Sequence, residues 1–178
     1  MSFTFEQLKK FVLEKSFSKN WKTAVSEWEI ADADEDESCS SSCVCGKENI
    51  RYLYTIENSK TKETLFPIGS SCIRKFERSD LNNQTSLTEQ LFKLYHAVEE
   101  NVFLCLSTDL FSRNLLKHLY EKGAFYSADG NYDEEDSYKF LLKMFNKRDK
   151  EAITQSQQKK ISAILLNNIK PFVQKTGT

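Results

Sequence analysis

Residues 43–46 read Cys-Val-Cys-Gly, and residues 69–76 read Gly-Ser-Ser-Cys-Ile-Arg-Lys-Phe. A span rich in aromatic and β-branched residues lies between these two stretches. The order is therefore a tight pair of thiols, a β-like segment and a lone thiol at the start of a helix-like segment. Thiolates are good zinc ligands, and a bound metal ion replaces the hydrophobic core that so short a segment cannot build. We therefore predict a small zinc-stabilised module in which zinc has a structural role.

The local sequence suits each of these thiols to a metal ion. The Cys-x-Cys-Gly turn can present two sulfurs to one ion, and Gly46 relaxes its backbone so that amide groups can point toward the thiolates. Cys72 falls in the first turn of the expected helix, where the helix dipole favours a thiolate. The order of a Cys-x-Cys-Gly knuckle (residues 43–46), a hairpin and a helix resembles the layout of a treble-clef zinc finger. That fold draws two ligands from its helix, whereas this helix offers only Cys72.

A broader pattern, within residues 20–77, resembles a group of uncharacterised bacterial and phage proteins. The motif residues, in chain order, are Trp21, Glu27, Trp28, the knuckle 43–46, the strand 50–58 with Thr61, and the segment 69–76. In such proteins a histidine often follows the knuckle glycine, whereas this chain has Lys47 there. The resemblance implies that another residue completes the metal site.

The resemblance thus implies one structural Zn²⁺ ion and a set of four ligands. The predicted ligands are Cys39, Cys43, Cys45 and Cys72. Cys39 takes the place of the missing histidine, and His96 and His118 are the alternatives to it.

The fold class expected is α+β and mostly α, because five Gly and two Pro in 178 residues are too few for a turn-rich all-β fold. The zinc module, a β-hairpin followed by a helix, should be flanked by two N-terminal helices and a C-terminal helical bundle. The predicted helices lie at 5–15, 20–30 and 70–76, with about four more after residue 86, the last one stopping at Pro171. The predicted strands are 50–56 and 64–68. The domains are 1–30 for the N-terminal helices, 31–78 for the module and 86–178 for the bundle.

Basic residues collect in two regions, although the net charge is only −1. Residues 47–78 carry seven bases against four acids, and residues 139–178 carry nine against two. Bases interleaved with aromatic residues such as Tyr52 and Tyr54 suit phosphate contact and base stacking, although half-buried strand packing also explains both tyrosines. The C-terminal stretches 144–148 and 156–161 also resemble short helical tails of phage proteins linked to DNA replication or recombination. The predicted nucleic-acid contacts are Arg51, Lys60, Lys62, Arg74, Lys75, Arg78, Lys147 and Arg148.

The segment 31–42 has five acids, no base and several serines. It shows no apolar periodicity, so we predict a solvated, disordered loop. The other interpretation is that its carboxylates mimic a phosphate backbone and occupy a basic groove on a partner protein.

Catalysis is not indicated by any motif. No His-x-Glu or His-Glu-x-x-His pattern and no Gly-rich phosphate loop occurs. The sequence lacks a signal peptide and an apolar run of the roughly 20 residues that cross a bilayer, so we expect a cytoplasmic protein with no membrane partner. Cys105 should be a buried apolar residue. The oligomeric state is not indicated.

The sequence therefore predicts a non-enzymatic zinc-binding protein, associated with a phage or mobile element, that contacts nucleic acid or a nucleic-acid-handling complex. The alternative is a protein–protein inhibitor or adaptor that docks on a host enzyme.

Overall fold

The computed structural model describes residues 3–130 and 132–177, so residues 1–2, 131 and 178 of the predicted segments lie outside it. The chain divides into two compact units, residues 1–88 and 89–178. The first unit contains both the predicted N-terminal segment and the predicted module. The fold is α+β and mostly helical, as predicted, with one small antiparallel sheet. No helix among the described residues is both long and apolar enough to span a bilayer.

The first unit combines short helices with three strands. Its elements are α1 (Phe3–Lys15), α2 (Trp21–Ala24), a 3₁₀ turn (Val25–Glu27), β1 (Trp28–Glu35), β2 (Tyr52–Asn58), β3 (Thr64–Ile68), α3 (Ser70–Ile73), a second 3₁₀ turn (Arg74–Phe76) and the start of α4 (Ser79–Glu99). Helix α1 and the β2–β3 hairpin confirm the helical and alternating patterns. The core of this unit buries Leu8, Trp28, Tyr54, Ile56 and Ile68.

The sheet has the order β1-β2-β3, and β1 is the strand that the sequence did not predict. The expected helix 20–30 ends after one turn, and its last residues enter β1, which pairs with β2 from Trp28↔Asn58 to Glu35↔Tyr52. A register shift between Ile30 and Asp32 marks a bulge. The less exposed residues are therefore spaced by two, three and two positions, which hides the strand period in the sequence.

The acidic segment is consequently an ordered edge strand followed by a compact turn, and the prediction of a disordered loop was wrong. The Asp36 carboxylate organises this turn by accepting hydrogen bonds from the hydroxyls of Ser38, Ser40 and Ser41 at 2.5 to 3.1 Å. Backbone N–H groups of the same three serines also donate to it. These contacts, with Ser38 first, hold the pKa of Asp36 well below its usual range.

The second unit is helical. Its elements are the remainder of α4, then α5 (Arg113–Glu121), α6 (Glu134–Asn146), α7 (Gln155–Ile164), a π turn (Leu165–Ile169) and α8 (Lys170–Thr176). Ser112, Asp133 and Thr154 each cap a helix by accepting a hydrogen bond from its first turn, and Thr154 forms a capping box.

Three predictions in the helical region were wrong. Helix α4 begins at Ser79 rather than at Ser86. The last helical segment does not stop at Pro171, because the wider π turn precedes it and places Pro171 in the first turn of α8, where its missing N–H costs little. Cys105 is exposed rather than buried.

Candidate metal centre

Three buried cysteines converge in the first unit. The sulfur of Cys72 lies 3.7 Å from that of Cys43 and 3.2 Å from that of Cys45. All three sulfurs lie within 4.8 Å of one another, and none forms a disulfide. Each side chain is at most 4% exposed. The group could therefore hold a metal ion.

The spacing of these thiols agrees with the geometry of a zinc site. Zinc–sulfur bonds of about 2.3 Å at tetrahedral angles separate the sulfurs by about 3.8 Å. The Cys43–Cys72 distance matches this value, whereas the Cys45–Cys72 distance of 3.2 Å is clearly shorter than it. Three soft donors in a site closed to solvent favour zinc or another thiophilic ion over magnesium or calcium.

The knuckle that presents two of these sulfurs is a tight turn closed by the backbone. The N–H of Gly46 donates to the carbonyl of Cys43 at 2.8 Å, and Gly46 adopts a φ of +88°. Few L-residues other than glycine accept such a φ without strain, which explains the glycine of the motif. The N–H of Val44 donates to the carbonyl of Pro67 at 2.9 Å, and Gln7 of α1 donates to the carbonyl of Val44 at 3.3 Å. The knuckle is thereby fixed to β3 and to α1.

The third sulfur comes from α3, which begins directly after β3. The N–H of Gly69 donates to the sulfur of Cys43 at 3.3 Å, so the start of α3 also contacts the knuckle. Hydrogen bonding with Cys72 is the main cause that lowers the pKa of Cys43 to about 5, and the N–H of Gly69 adds to it. The same contact, together with burial, raises the pKa of Cys72. One thiolate is therefore favoured at neutral pH, and a divalent cation would displace the remaining protons.

Cys39, the fourth predicted ligand, lies outside this group. Among the described residues, the convergent group contains Cys43, Cys45 and Cys72, with no histidine. Cys39 is half-buried at the tip of the turn that Asp36 closes, with a φ of +51°. Its thiol lies 3.9 Å from the carbonyl of Glu37. The serine–carboxylate contacts of this turn place Cys39, and the sequence gives no direct sign of them.

Four of the six predicted basic contacts in the module form ion pairs within the protein. Arg51 pairs with Glu35 at 2.6 Å, and Lys62 pairs with Glu57 at 3.4 Å. Lys60 lies 3.6 Å from the carboxylate of Glu27.

Arg78 has more hydrogen-bond and ion-pair partners than the other three of these bases. Its guanidinium pairs with Glu29 at 2.8 Å and with Asp80 at 2.6 Å. It also donates to the backbone carbonyls of Val25 and Trp28. Arg78 therefore fixes the start of β1 to the segment before α4.

Arg74 and Lys75 differ from the other four predicted contacts of the module, because neither forms an ion pair with a carboxylate of the described residues. Arg74 is exposed, and the Lys75 ammonium lies 5.7 Å from the ring centre of Phe5. The two tyrosines are less available than their positions in the sequence imply. Tyr54 is fully buried and donates to the carbonyl of Thr85 at 3.2 Å, and Tyr52 is half-buried.

The two predicted contacts in the second unit follow α6. Lys147 is half-buried and donates to the carbonyl of Ala152 at 2.8 Å, whereas Arg148 is exposed. Lys150 donates to the carbonyls of Met144 and Phe145, so it caps the end of the helix. Two of the basic side chains in this region, Lys147 and Lys150, therefore stabilise the local backbone after α6.

The motif residues outside the cysteine cluster form a buried polar network that sequence reasoning missed. The Glu27 carboxylate accepts hydrogen bonds from the backbone of Phe17 and Ser18 and from the side chain of Asn58. The indole of Trp28 donates to Ser16 at 2.8 Å, and the Thr61 hydroxyl donates to the carbonyl of Lys15 at 2.8 Å. A Glu-Trp pair at the end of a short helix and an Asn at a hairpin turn were the signals available.

No protein family, curated protein or solved structure matches this chain in comparisons with known proteins.

Proposed function

We propose that the chain is a non-enzymatic zinc-binding protein whose first unit contacts nucleic acid, either free or within a nucleic-acid-handling complex. The observation that carries this proposal is the position of Cys72, because α3 and the 3₁₀ turn that follows it also hold Arg74 and Lys75. One short segment thus joins a candidate metal ligand to two predicted contacts that lack a carboxylate partner among the described residues.

Zinc in this proposal is held by the thiolates of Cys43, Cys45 and Cys72 and is structural. It would cross-link the knuckle to α3 and so fix the direction in which Arg74 and Lys75 leave the module. Catalytic zinc sites combine an open position with an acid–base residue. The convergent group instead contains only thiols.

The expected binding is weak and depends on salt, because only two of the six predicted contacts in the module remain unpaired among the described residues and available for phosphate. The four paired bases would have to exchange an internal carboxylate for a phosphate, which gains little. Arg74 and Lys75 need no such exchange, so they should account for most of the electrostatic contribution.

The test is to measure zinc content and oligonucleotide binding at low salt with purified protein. Arg74→Ala and Lys75→Ala should each weaken binding and reduce its salt dependence. Arg51→Ala and Lys62→Ala are matched controls from the same module and should have little effect. Absence of binding to single-stranded or duplex oligonucleotides at low salt would refute the proposal.

A protein inhibitor or adaptor is the second candidate, and one observation favours it. Asp32 and Asp34 are exposed on edge strand β1, so their carboxylates are held at fixed spacing. Such an ordered acidic edge suits a basic groove on a partner enzyme. If this candidate holds, Asp32→Asn with Asp34→Asn should abolish co-purification of a host protein, whereas Glu14→Gln in α1 should not.

A further inference from the structure

A groove in the first unit is lined by three aromatic rings and several charged side chains. Its volume is about 570 Å³, within the range of small-ligand sites. Phe5 of α1, Trp21 of α2 and Phe76, two residues after Arg74, supply the rings. The metal ligands are not part of its lining.

The three rings form a packed aromatic cluster centred on Trp21. The Trp21 ring lies 5.6 Å from that of Phe5 and 5.6 Å from that of Phe76, with interplanar angles of 82° and 85°. These edge-to-face contacts fix the indole without burying it, since Trp21 stays partly exposed while Trp28 is fully buried. An immobilised, accessible indole is a good surface on which a flat ring can stack.

The charges around this surface leave room for one anionic group. Lys22 is exposed and Lys75 lies over Phe5, and neither has a carboxylate partner among the described residues. Arg78 also lines the groove, but Glu29 and Asp80 already neutralise it. Glu77 adds one negative charge to the lining. The balance suits a single phosphate better than a polyanionic tract.

We infer that this groove binds one nucleotide unit of single-stranded nucleic acid, with its base against Trp21 and its phosphate between Lys22 and Lys75. The inference rests on the proposed function and specifies its ligand. A base must be unstacked to reach an aromatic surface, so single strands should bind in preference to duplexes. Stacking on aromatic side chains is tolerant of base identity, so little sequence preference is expected.

The experiment titrates the full-length protein with a short oligodeoxythymidylate and follows tryptophan fluorescence. The chain has two tryptophans, and Trp28 is inaccessible, so quenching reports on Trp21. Binding should quench the fluorescence saturably and should protect Trp21 from acrylamide. A matched duplex should do neither at the same concentrations.

Substitutions then assign the two contacts. Trp21→Leu should weaken binding about fivefold to a hundredfold, as expected for one stacked base. Lys22→Ala should flatten the slope of log affinity against log salt by about 0.7, the value for one phosphate on a single strand. Phe17→Ala and Lys10→Ala remove an exposed aromatic and an exposed base outside the lining and should leave affinity unchanged.

Failure of this inference is distinguishable from failure of the proposed function. If Arg74→Ala weakens binding while Trp21→Leu, Lys22→Ala and the quenching show no effect, the groove assignment is overturned and the proposed function stands. If no oligonucleotide binds at low salt, both are overturned. Should Trp21→Leu impair folding, the fluorescence of the unaltered protein and the salt slope of Lys22→Ala decide the matter, because the Lys22 side chain is exposed.

Discussion

The carboxylate of Glu27 accepts a hydrogen bond of 2.9 Å from the side-chain amide of Asn58, whose backbone pairs with Trp28 at the end of the β1–β2 ladder. Both residues are buried, and the Glu27 side chain is inaccessible to solvent. Two backbone N–H groups, from Phe17 and Ser18, also donate to this carboxylate. A buried charge that receives several hydrogen bonds is tolerated, and it fixes the hairpin turn to the end of α1.

The first prediction concerns the stability of this network. Glu27→Gln should lower the free energy of unfolding by about 1–3 kcal/mol, because an amide group would face donors that the carboxylate now satisfies. Asn58→Asp should also destabilise the protein, because it removes the amide donor to Glu27 and adds a second buried charge. The side-chain oxygen at position 58 can still accept hydrogen bonds from the N–H groups of Lys60 and Thr61. Denaturant titration measures both, and Glu14→Gln on the exposed surface of α1 is the control.

The pH dependence of stability should change with the same residue. Burial of Glu27 acts to raise its pKa, but the hydrogen bonds from Asn58, Ser18 and Phe17 outweigh it, so the pKa lies below the ordinary value of 4.5. The stabilising contribution is therefore fully present above pH 4.5 and is lost as the pH falls towards the folded-state pKa.

The second prediction follows from this direction. Wild-type protein should lose unfolding free energy more steeply than Glu27→Gln as the pH falls below 4.5. Urea denaturation at a series of pH values gives both curves. Parallel curves for the two proteins would show that Glu27 titrates alike in the folded and unfolded states, contrary to the expectation.

Sequence reasoning located elements whose signals are local. The β2–β3 hairpin carries an alternating pattern and a turn, and the cap residue Thr154 is followed by a Gln that completes its capping box. Strand β1 was not predicted from the sequence, because its bulge shifts the alternation of buried and exposed side chains between Ile30 and Asp32. The π turn before Pro171 was not predicted either, because proline usually ends a helix and the last helix was therefore expected to stop there.

The candidate metal centre was likewise predictable only where the sequence signal is local. Cys43, Cys45 and Cys72 stand in a motif whose spacing brings the sulfurs together through one hairpin. Cys39 is close in sequence, but the turn around Asp36 directs it elsewhere, and that turn depends on side-chain contacts with three serines. Spacing alone does not reveal which side chains satisfy a carboxylate.

The third prediction separates these cysteines by metal content. Cys43→Ser, Cys45→Ser and Cys72→Ser should each lose bound zinc and lower the melting temperature, because a metal site in a small module contributes directly to folding. Cys105→Ser and Cys39→Ser should retain both. Elemental analysis and thermal melting, with and without a chelator, provide the measurements.

The outcome for Cys39 has a particular meaning. Loss of zinc in Cys39→Ser would show that the turn rearranges on metal binding to supply a fourth thiolate, contrary to the three-thiol arrangement. Full stability of the unaltered protein after exhaustive chelation would remove the structural role of the metal.

The fourth prediction tests the knuckle independently of its sulfurs. Gly46→Ala places a side chain on a residue with a φ of +88°, and its new methyl group would lie 3.4 Å from the side-chain oxygen of Gln7. The contact is close but borders on ordinary packing, so backbone strain should dominate and cost about 1–2 kcal/mol. Gly130→Ala is the matched control, because its φ is also positive, at +62°, and it lies outside the knuckle with open space around it. Both variants should lose stability through backbone strain, but only Gly46→Ala should also weaken zinc affinity, since the turn it distorts aligns Cys43 with Cys45.

Equal zinc affinity in the two variants, measured by competition with a chromophoric chelator, would mean that the knuckle backbone does not position the thiols.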